Sequence, residues 1–156
     1  MPVSQATPQR SRKPAPHATG TVDRVRCVLM HAQRYLLAQH NSRRRDNRSR
    51  WGLAGGRLRG RENPQECLRR ELMEELGCRV AYLIELGDWQ HRDETHRIFG
   101  CEIAQNIDTF NTDELCAIAW FTHAEVVQLA SAGRLRTGFE LAAITTFERQ
   151  RASARK

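Results

Sequence analysis

Apolar and polar positions along the chain follow two periods, and these mark out the elements. Val22 to Met30 begins as an alternation, with Val25, Cys27 and Leu29 on one face, and becomes continuously apolar, which predicts a strand. A turn at His31 to Arg34 leads to a second short strand, Tyr35 to Ala38. Trp51 to Leu58 is short and rich in glycine (Gly52, Gly55, Gly56) and predicts a further strand. The period then changes. Asn63-Pro64 is a helix start, with proline in the first turn, where its missing N–H costs nothing. Leu68, Leu72 and Leu76 recur every fourth residue as one buried stripe, and Gly77 ends the helix. Val80 to Trp89 and Arg97 to Ile103 predict two strands around a polar connection, Gln90 to His96, with Phe99, Cys101 and Ile103 sharing a face. Leu115 to Thr122 predicts another strand. Two helices follow, His123 to Ala132 and Phe139 to Arg151. Strands and helices are mixed without regular βαβ alternation, so the expected architecture is α/β, a mixed sheet with helices packed on it.

Composition narrows this picture. The 156 residues suit one domain with a single sizeable core. The longest apolar run, Leu115 to Phe121, is far short of the roughly 20 residues of a membrane-spanning helix, so no membrane partner is expected. Five dispersed cysteines, with no C-x-x-C pair and no secretory leader before them, point away from a disulfide framework or a zinc ribbon and towards a reducing cytoplasm. The net charge of +7 is concentrated in two places. Residues 1–20 carry Arg10, Arg12 and Lys13 without an acid, among Pro2, Pro8, Pro14 and Pro16, and read as a disordered basic tail. The folded domain is then residues 21–156. Residues 41–50 carry Arg43, Arg44, Arg45, Arg48 and Arg50 against Asp46. Such a loop suits an anionic ligand, or serves as a solvated, solubilising segment.

The predicted helix carries Glu71, Glu74 and Glu75, at i, i+3 and i+4. All three carboxylates project from one face, about a quarter turn from the leucine stripe. Adjacent like charges destabilise a helix unless a cation neutralises them. Carboxylate oxygens are hard ligands that suit Mg²⁺ or Mn²⁺. A solvated acidic face is the plain alternative.

The longer pattern decides between them. From Gly56 the chain reads five residues, Glu62, seven residues, Arg70-Glu71-Leu72, one residue, Glu74-Glu75, one residue, Gly77-Cys78. This resembles the Nudix box, G-x5-E-x7-R-E-U-x-E-E-x-G-U, where U is a bulky aliphatic residue. Seven fixed identities at fixed positions arise by chance on the order of once in 10⁸ to 10⁹ starts. Cys78 stands at the last U, and Ala54 precedes the double glycine where many members have proline.

The resemblance implies a Nudix-type α/β/α sandwich with a mixed β-sheet and a catalytic loop-helix-loop. It also implies a MutT-like hydrolase that uses Mg²⁺ or Mn²⁺ to cut a nucleoside diphosphate linked to another group. Glu74 and Glu75 would be metal ligands, Glu71 would ligate a second metal or act as general base, and Glu71, Arg70 and Glu75 would be the catalytic residues. Arg70 would orient a box glutamate, and Glu62 would hold Arg70. A backbone carbonyl of the double glycine, Gly55 or Gly56, would complete the ligand set. A further carboxylate would come from a distal loop, Asp113 or Glu114, with Glu114 the better placed.

The substrate is read by elimination. No S-Q-P-W-P-F-P follows the box, no proline stands about fifteen residues after Gly77, and no tyrosine sixteen to eighteen residues on. Leu36 to Ser42 matches a coenzyme A motif only faintly. A nucleoside triphosphate, cut to the monophosphate and pyrophosphate, is favoured over ADP-ribose or a dinucleoside polyphosphate. Arg43, Arg45, Arg50 and Arg57 are candidate contacts to its phosphates. Trp51 or Trp89 could stack on a base, although a core or sheet-packing role is favoured for each, and His91 and His96 could line the cleft, with surface histidines the plain reading. A nucleotide sensor that does not cut is the rival class, but it would be expected to lack box glutamates. An RNA-end enzyme is disfavoured by the scarcity of aromatics (6%). The expected partner is a nucleotide-derived small molecule. Many relatives are dimers, which makes a homodimer an expectation of the resemblance alone.

Overall fold

The computed structural model describes residues 21–41 and 49–155. The tail of residues 1–20 and Arg43, Arg44, Arg45 and Arg48 lie outside the described residues. The elements are β1 (Arg24–His31), β2 (Arg34–His40), β3 (Ala54–Arg57), α1 (Pro64–Leu76), β4 (Ile84–His91), β5 (Glu94–Glu102), β6 (Leu115–Phe121), α2 (His123–Ser131) and α3 (Glu140–Ala154). They form an α/β/α sandwich. The mixed sheet runs β4-β5-β1-β2-β6, with β3 also paired to β1. β1 and β5 are parallel, and the other pairs are antiparallel.

The alternation in β1 creates the two layers. Val25, Cys27 and Leu29 face one side and pack with Leu68, Leu72 and Leu76 of α1. Val28 and Met30 face the other and pack with Ala143, Ile144 and Phe147 of α3, together with Val126 of α2. The residues of β1 from Val25 to Met30 are therefore committed to one helix layer or the other by their parity. β1 also changes partner along one edge. Its first half, Arg24 to Cys27, pairs with β3, and its end, Met30 and His31, pairs with β2.

Three boundaries differ from the sequence pattern. The strand predicted from Val80 begins only at Ile84. Arg69 donates to the carbonyls of Val80 and Ala81, which occupies acceptors that a ladder would need. The polar connection Gln90 to His96 is a two-residue hairpin turn instead. Arg92 and Asp93 take φ of +48° and +62°, and strands continue on both sides of it. The expected turn after β1 is built likewise, by Ala32 and Gln33 at +49° and +63°. Such turns usually carry Asn-Gly, so the second was invisible to a reading by turn residues. Finally, only Ala54–Arg57 of the glycine-rich segment is strand, while Trp51 and Gly52 make single bridges to Leu135 and Ala38. Among the described residues no helix is long and apolar enough to cross a membrane.

Phe147 illustrates how tightly the α3 layer meets the sheet. It is 1% exposed, and a Cβ added to Gly100 of β5 would lie 2.3 Å from its Cδ2. Gly100→Ala should cost about 1–3 kcal/mol by overpacking, and Phe147→Ala about 3–5 kcal/mol by leaving a cavity. In the double variant the new methyl enters the space left by the ring, so the combined cost should fall clearly below the sum. Urea denaturation of the four proteins measures this, and strict additivity would refute the contact.

Candidate active site

α1 presents the acidic residues because its ends are fixed. Asn63 accepts from Glu66 N (2.9 Å), Glu66 accepts from Asn63 N (3.3 Å), and Pro64 opens the first turn. At the other end Gly77 takes φ +61° and Cys78 N donates back to Leu72 O (3.2 Å). With Cys67, Leu68, Leu72 and Leu76 buried against the sheet, the rotation of the helix is set.

That rotation divides the three helix glutamates. Glu71 and Glu75 are turned inward, 6% and 2% exposed. Glu74 stays at the surface, where it pairs with Arg70 (3.3 Å) and Arg59 (3.8 Å). One oxygen from each of Glu71, Glu75 and Glu114 lies within 4.8 Å of the others. Of the two distal carboxylates, it is therefore Glu114 that joins the box residues, while Asp113 is exposed and outside the group. The loop is held in place by contacts that the sequence did not disclose. Asn111 N donates to Glu75 O (2.8 Å), Asn41 N donates to Glu114 O (2.9 Å), and Asn41 Nδ2 reaches the carbonyls of Thr112 and Asp113 (both 3.0 Å). Trp120 Nε1 donates to Ile107 O (3.1 Å), further back in the same loop.

Arg70 is the hub of the outer face. Its Nε and Nη2 donate to the two oxygens of Glu62 at 2.7 and 2.9 Å, a bidentate pair, while Nη1 donates to Glu71 at 3.0 Å. Glu62 also accepts from Arg59 N at 2.9 Å. The Arg70 hydrogen bonds, with that amide, hold the Glu62 carboxyl down at about 2, and Glu62 and Glu71 in turn raise Arg70 above its ordinary range.

Glu75 is pushed the opposite way, up to about 8. Burial is the main cause, the Glu71 carboxylate adds to it, and the Arg26 guanidinium opposes it. Glu114 is also raised, by burial and by Glu71 and Glu74. Two features fit this group to a divalent cation. The buried Oε2 of Glu75 has no hydrogen-bond partner. Gly56 leaves room beside Glu71, since a Cβ there would lie 2.5 Å from the Glu71 carboxyl. Gly55 is required for a different reason: at φ +145° its Cβ would lie 2.0 Å from Val25 O. The donors are hard oxygens, which matches Mg²⁺ or Mn²⁺.

Two of the candidate substrate arginines, Arg57 and Arg50, fall within the described residues. Arg57 ends β3 and its Nη2 donates to Glu94 (3.0 Å), a carboxylate it shares with Arg24. Arg50 is half-buried beside Trp51, and Arg43 and Arg45 lie outside the described residues. Trp51 packs edge-on against Phe121 and Trp89 is in the core, as expected. His96 is not a surface residue: it is 2% exposed, on the sheet face towards α3. Arg26, His40, Arg136 and Glu140 were not singled out from the sequence. The signal for Arg26 was present, because a charged residue shares the face of Val28 and Met30 in an otherwise apolar strand.

Comparison with known proteins agrees with this geometry. The profile of the NUDIX domain matches residues 20–139. The nucleoside triphosphatase NudI of Enterobacter sp. (strain 638) is 32% identical over 111 residues, 61% of this chain and 77% of that protein. The NUDIX domain of Shewanella oneidensis NrtR, solved as a complex with ADP ribose, has a similar fold. Its TM-score is 0.67 at 16% identity, over 85% of this chain and 90% of that one. The E. coli ORF135 protein, at TM-score 0.62 and 21% identity, matches over 85% and 91%. The box on α1, the sandwich around it and these likenesses together place the chain in the Nudix hydrolase family of MutT-like enzymes.

Proposed function

We propose that the protein hydrolyses a nucleoside triphosphate to the monophosphate and pyrophosphate, with Glu71, Glu75 and Glu114 holding Mg²⁺ or Mn²⁺. The observation that carries this is the convergence of three carboxylates within 4.8 Å, one with a buried, unpartnered oxygen. The likeness to a nucleoside triphosphatase supports the choice of substrate over ADP-ribose or a dinucleoside polyphosphate.

Glu71, Glu75 and Glu114 would hold the divalent cation, which when bound would supply a water of lowered pKa and charge to offset that of the phosphates. The protein's share is positioning. α1 and the loop ending at Glu114 fix the carboxylates before substrate arrives, so no reorganisation is needed during reaction. A carboxylate of the group accepts the proton of the attacking water. Arg70 is a positioning residue: tied to Glu62 by two bonds, it holds Glu71 with a third. Gly55 contributes a backbone that no other residue supplies, and its carbonyl is the proposed main-chain ligand. Glu74 lies outside the carboxylate group and serves through its pairs with Arg70 and Arg59. Arg43, Arg45, Arg50 and Arg57 are the proposed contacts to the distal phosphates.

Wild type and Glu75→Gln, each with Mg²⁺, should be compared on nucleoside triphosphates, ADP-ribose, dinucleoside polyphosphates and nucleotide sugars. Pyrophosphate release from triphosphates by wild type alone is expected, with kcat lower by about 10²–10⁴-fold in the variant. Turnover confined to ADP-ribose would overturn the substrate assignment, and equal turnover by both proteins would overturn the site. Glu62→Gln should weaken metal affinity or activity by about 10–100-fold, through loss of the Arg70 clamp. Gly56→Ala should lower activity similarly while thermal unfolding moves little. An active Gly56→Ala protein would show that the space beside Glu71 is not used. Replacing Arg43, Arg44 and Arg45 with Ala should raise KM for the triphosphate and leave kcat within about twofold. An unchanged KM would remove the loop from the phosphate site.

A further inference from the structure

Next to Glu75, on the opposite side of the sheet from α1, is a second polar cluster that the hydrolytic chemistry above does not use. Arg26 projects from β1 on the face of Val28 and Met30 and is 5% exposed. His96 on β5 pairs in register with Arg24 on one side and Trp89 on the other. His40 sits at the bulge that ends β2. Arg136 lies over Gly52, where an added Cβ would come within 3.2 Å of its Cβ and Cδ. Phe139 completes the group, its ring 5.2 Å from His96 and 6.3 Å from Trp89.

These residues act on one another. Burial, then Arg26, Arg136 and Arg24, pushes His40 well below the ordinary histidine range, and burial, Arg26 and Arg24 lower His96 to about 3. Arg26 and Arg136 both feel the carboxylates of Glu75 and Glu140. Glu140 is fully buried, but its oxygens already accept from Thr137 N, Thr137 Oγ and Gly138 N. It has little capacity left for either guanidinium.

The hydrogen-bond inventory is lopsided. Both ring nitrogens of His40, both of His96, Nε1 of Trp89 and Nη1 of Arg136 are buried without a partner. The Arg26 side chain makes no hydrogen bond among the described residues. Groups of this kind are normally paired, so their concentration beside Glu75 calls for a ligand. Guanidinium and indole offer donors only, and each neutral imidazole offers one donor and one acceptor. The ligand edge received here must therefore be rich in acceptors, and Trp89 and Phe139 form the aromatic part of the same cluster.

If the ligand is a nucleotide, as the reading above holds, its base meets this requirement unequally. Guanine presents O6 and N7, and uracil presents two carbonyls. Adenine and cytosine place an amino group at the position of one oxo group, where it would oppose an N–H of arginine. We propose that the cluster around Arg26, His96 and Arg136 reads the base of the nucleotide and selects oxo-bearing bases over their amino counterparts.

Binding of GMP, AMP, UMP and CMP to the full chain by calorimetry tests this without requiring turnover. GMP should bind about tenfold tighter than AMP, and UMP about tenfold tighter than CMP. Arg136→Gln, which offers an acceptor beside its donor, should shrink both gaps to about twofold. Arg136→Lys, which keeps only donors, should retain most of each gap, and thermal unfolding of both variants checks their fold. Equal affinities for the four, an amino preference, no binding at millimolar concentration, or gaps unchanged in Arg136→Gln would each overturn the proposal. Its fate is separable from that of hydrolysis. An oxo preference with no triphosphate turnover would sink the hydrolytic reading alone, and turnover without base preference would sink only this one.

Discussion

Three carboxylates whose oxygens lie within 4.8 Å repel one another, and partial burial strengthens that repulsion by reducing solvent screening. The fold must hold them there against it. Part of the restraint is mechanical. α1 is capped at both ends and seated on its leucines, so Glu71 and Glu75 cannot rotate away without lifting the stripe from the core. Glu114 is carried by a loop tied to α1 by Asn111 and to Asn41, the residue that follows β2. The rest of the restraint is electrostatic. Arg70 lies on the outer side of the group and Arg26 acts on Glu75 from the sheet. Burial and the Glu71 carboxylate keep the proton affinity of Glu75 high despite Arg26.

β1 connects this site to the remainder of the molecule. Its odd residues belong to the layer beneath α1 and its even residues to the layer beneath α3. Because the strand changes partner from β3 to β2 along its length, Gly55 and Gly56 are brought against its first half, beside Arg26. A single strand thus supports the glycine backbone at the carboxylates on one face and supplies a buried guanidinium on the other. That arrangement explains why the cluster of Arg26, His96 and Arg136 borders Glu75 although it lies in the other layer.

How much was legible in the residues depended on how local the determining contacts are. α1 could be read almost to the residue, because Asn63-Pro64, the leucine spacing and Gly77 all act within one turn of their own position. The two faces of β1 followed from parity alone. The start of β4 could not be read, because Arg69, eleven residues before Val80, takes the carbonyls that an earlier start would use. Nor could the Arg92-Asp93 turn, where two non-glycine residues are held at positive φ by the pairing of the strands on either side. The burial of His96 is not legible in the polar stretch around it, because Phe139, forty-three residues later, packs against its ring.

The residues by themselves determined the helix, the identity of the box and the kind of ligand its carboxylates suit, because spacing along a helix converts directly into direction in space. Only the tertiary structure decided that Glu71 and Glu75 turn inward while Glu74 does not. It likewise decided that Glu114 rather than Asp113 completes the group, and that Arg26, His40, His96 and Arg136 come close enough to act on one another. Each of these outcomes depends on contacts between segments far apart in the chain, where helix rotation, loop path and strand register combine and no local period carries the result.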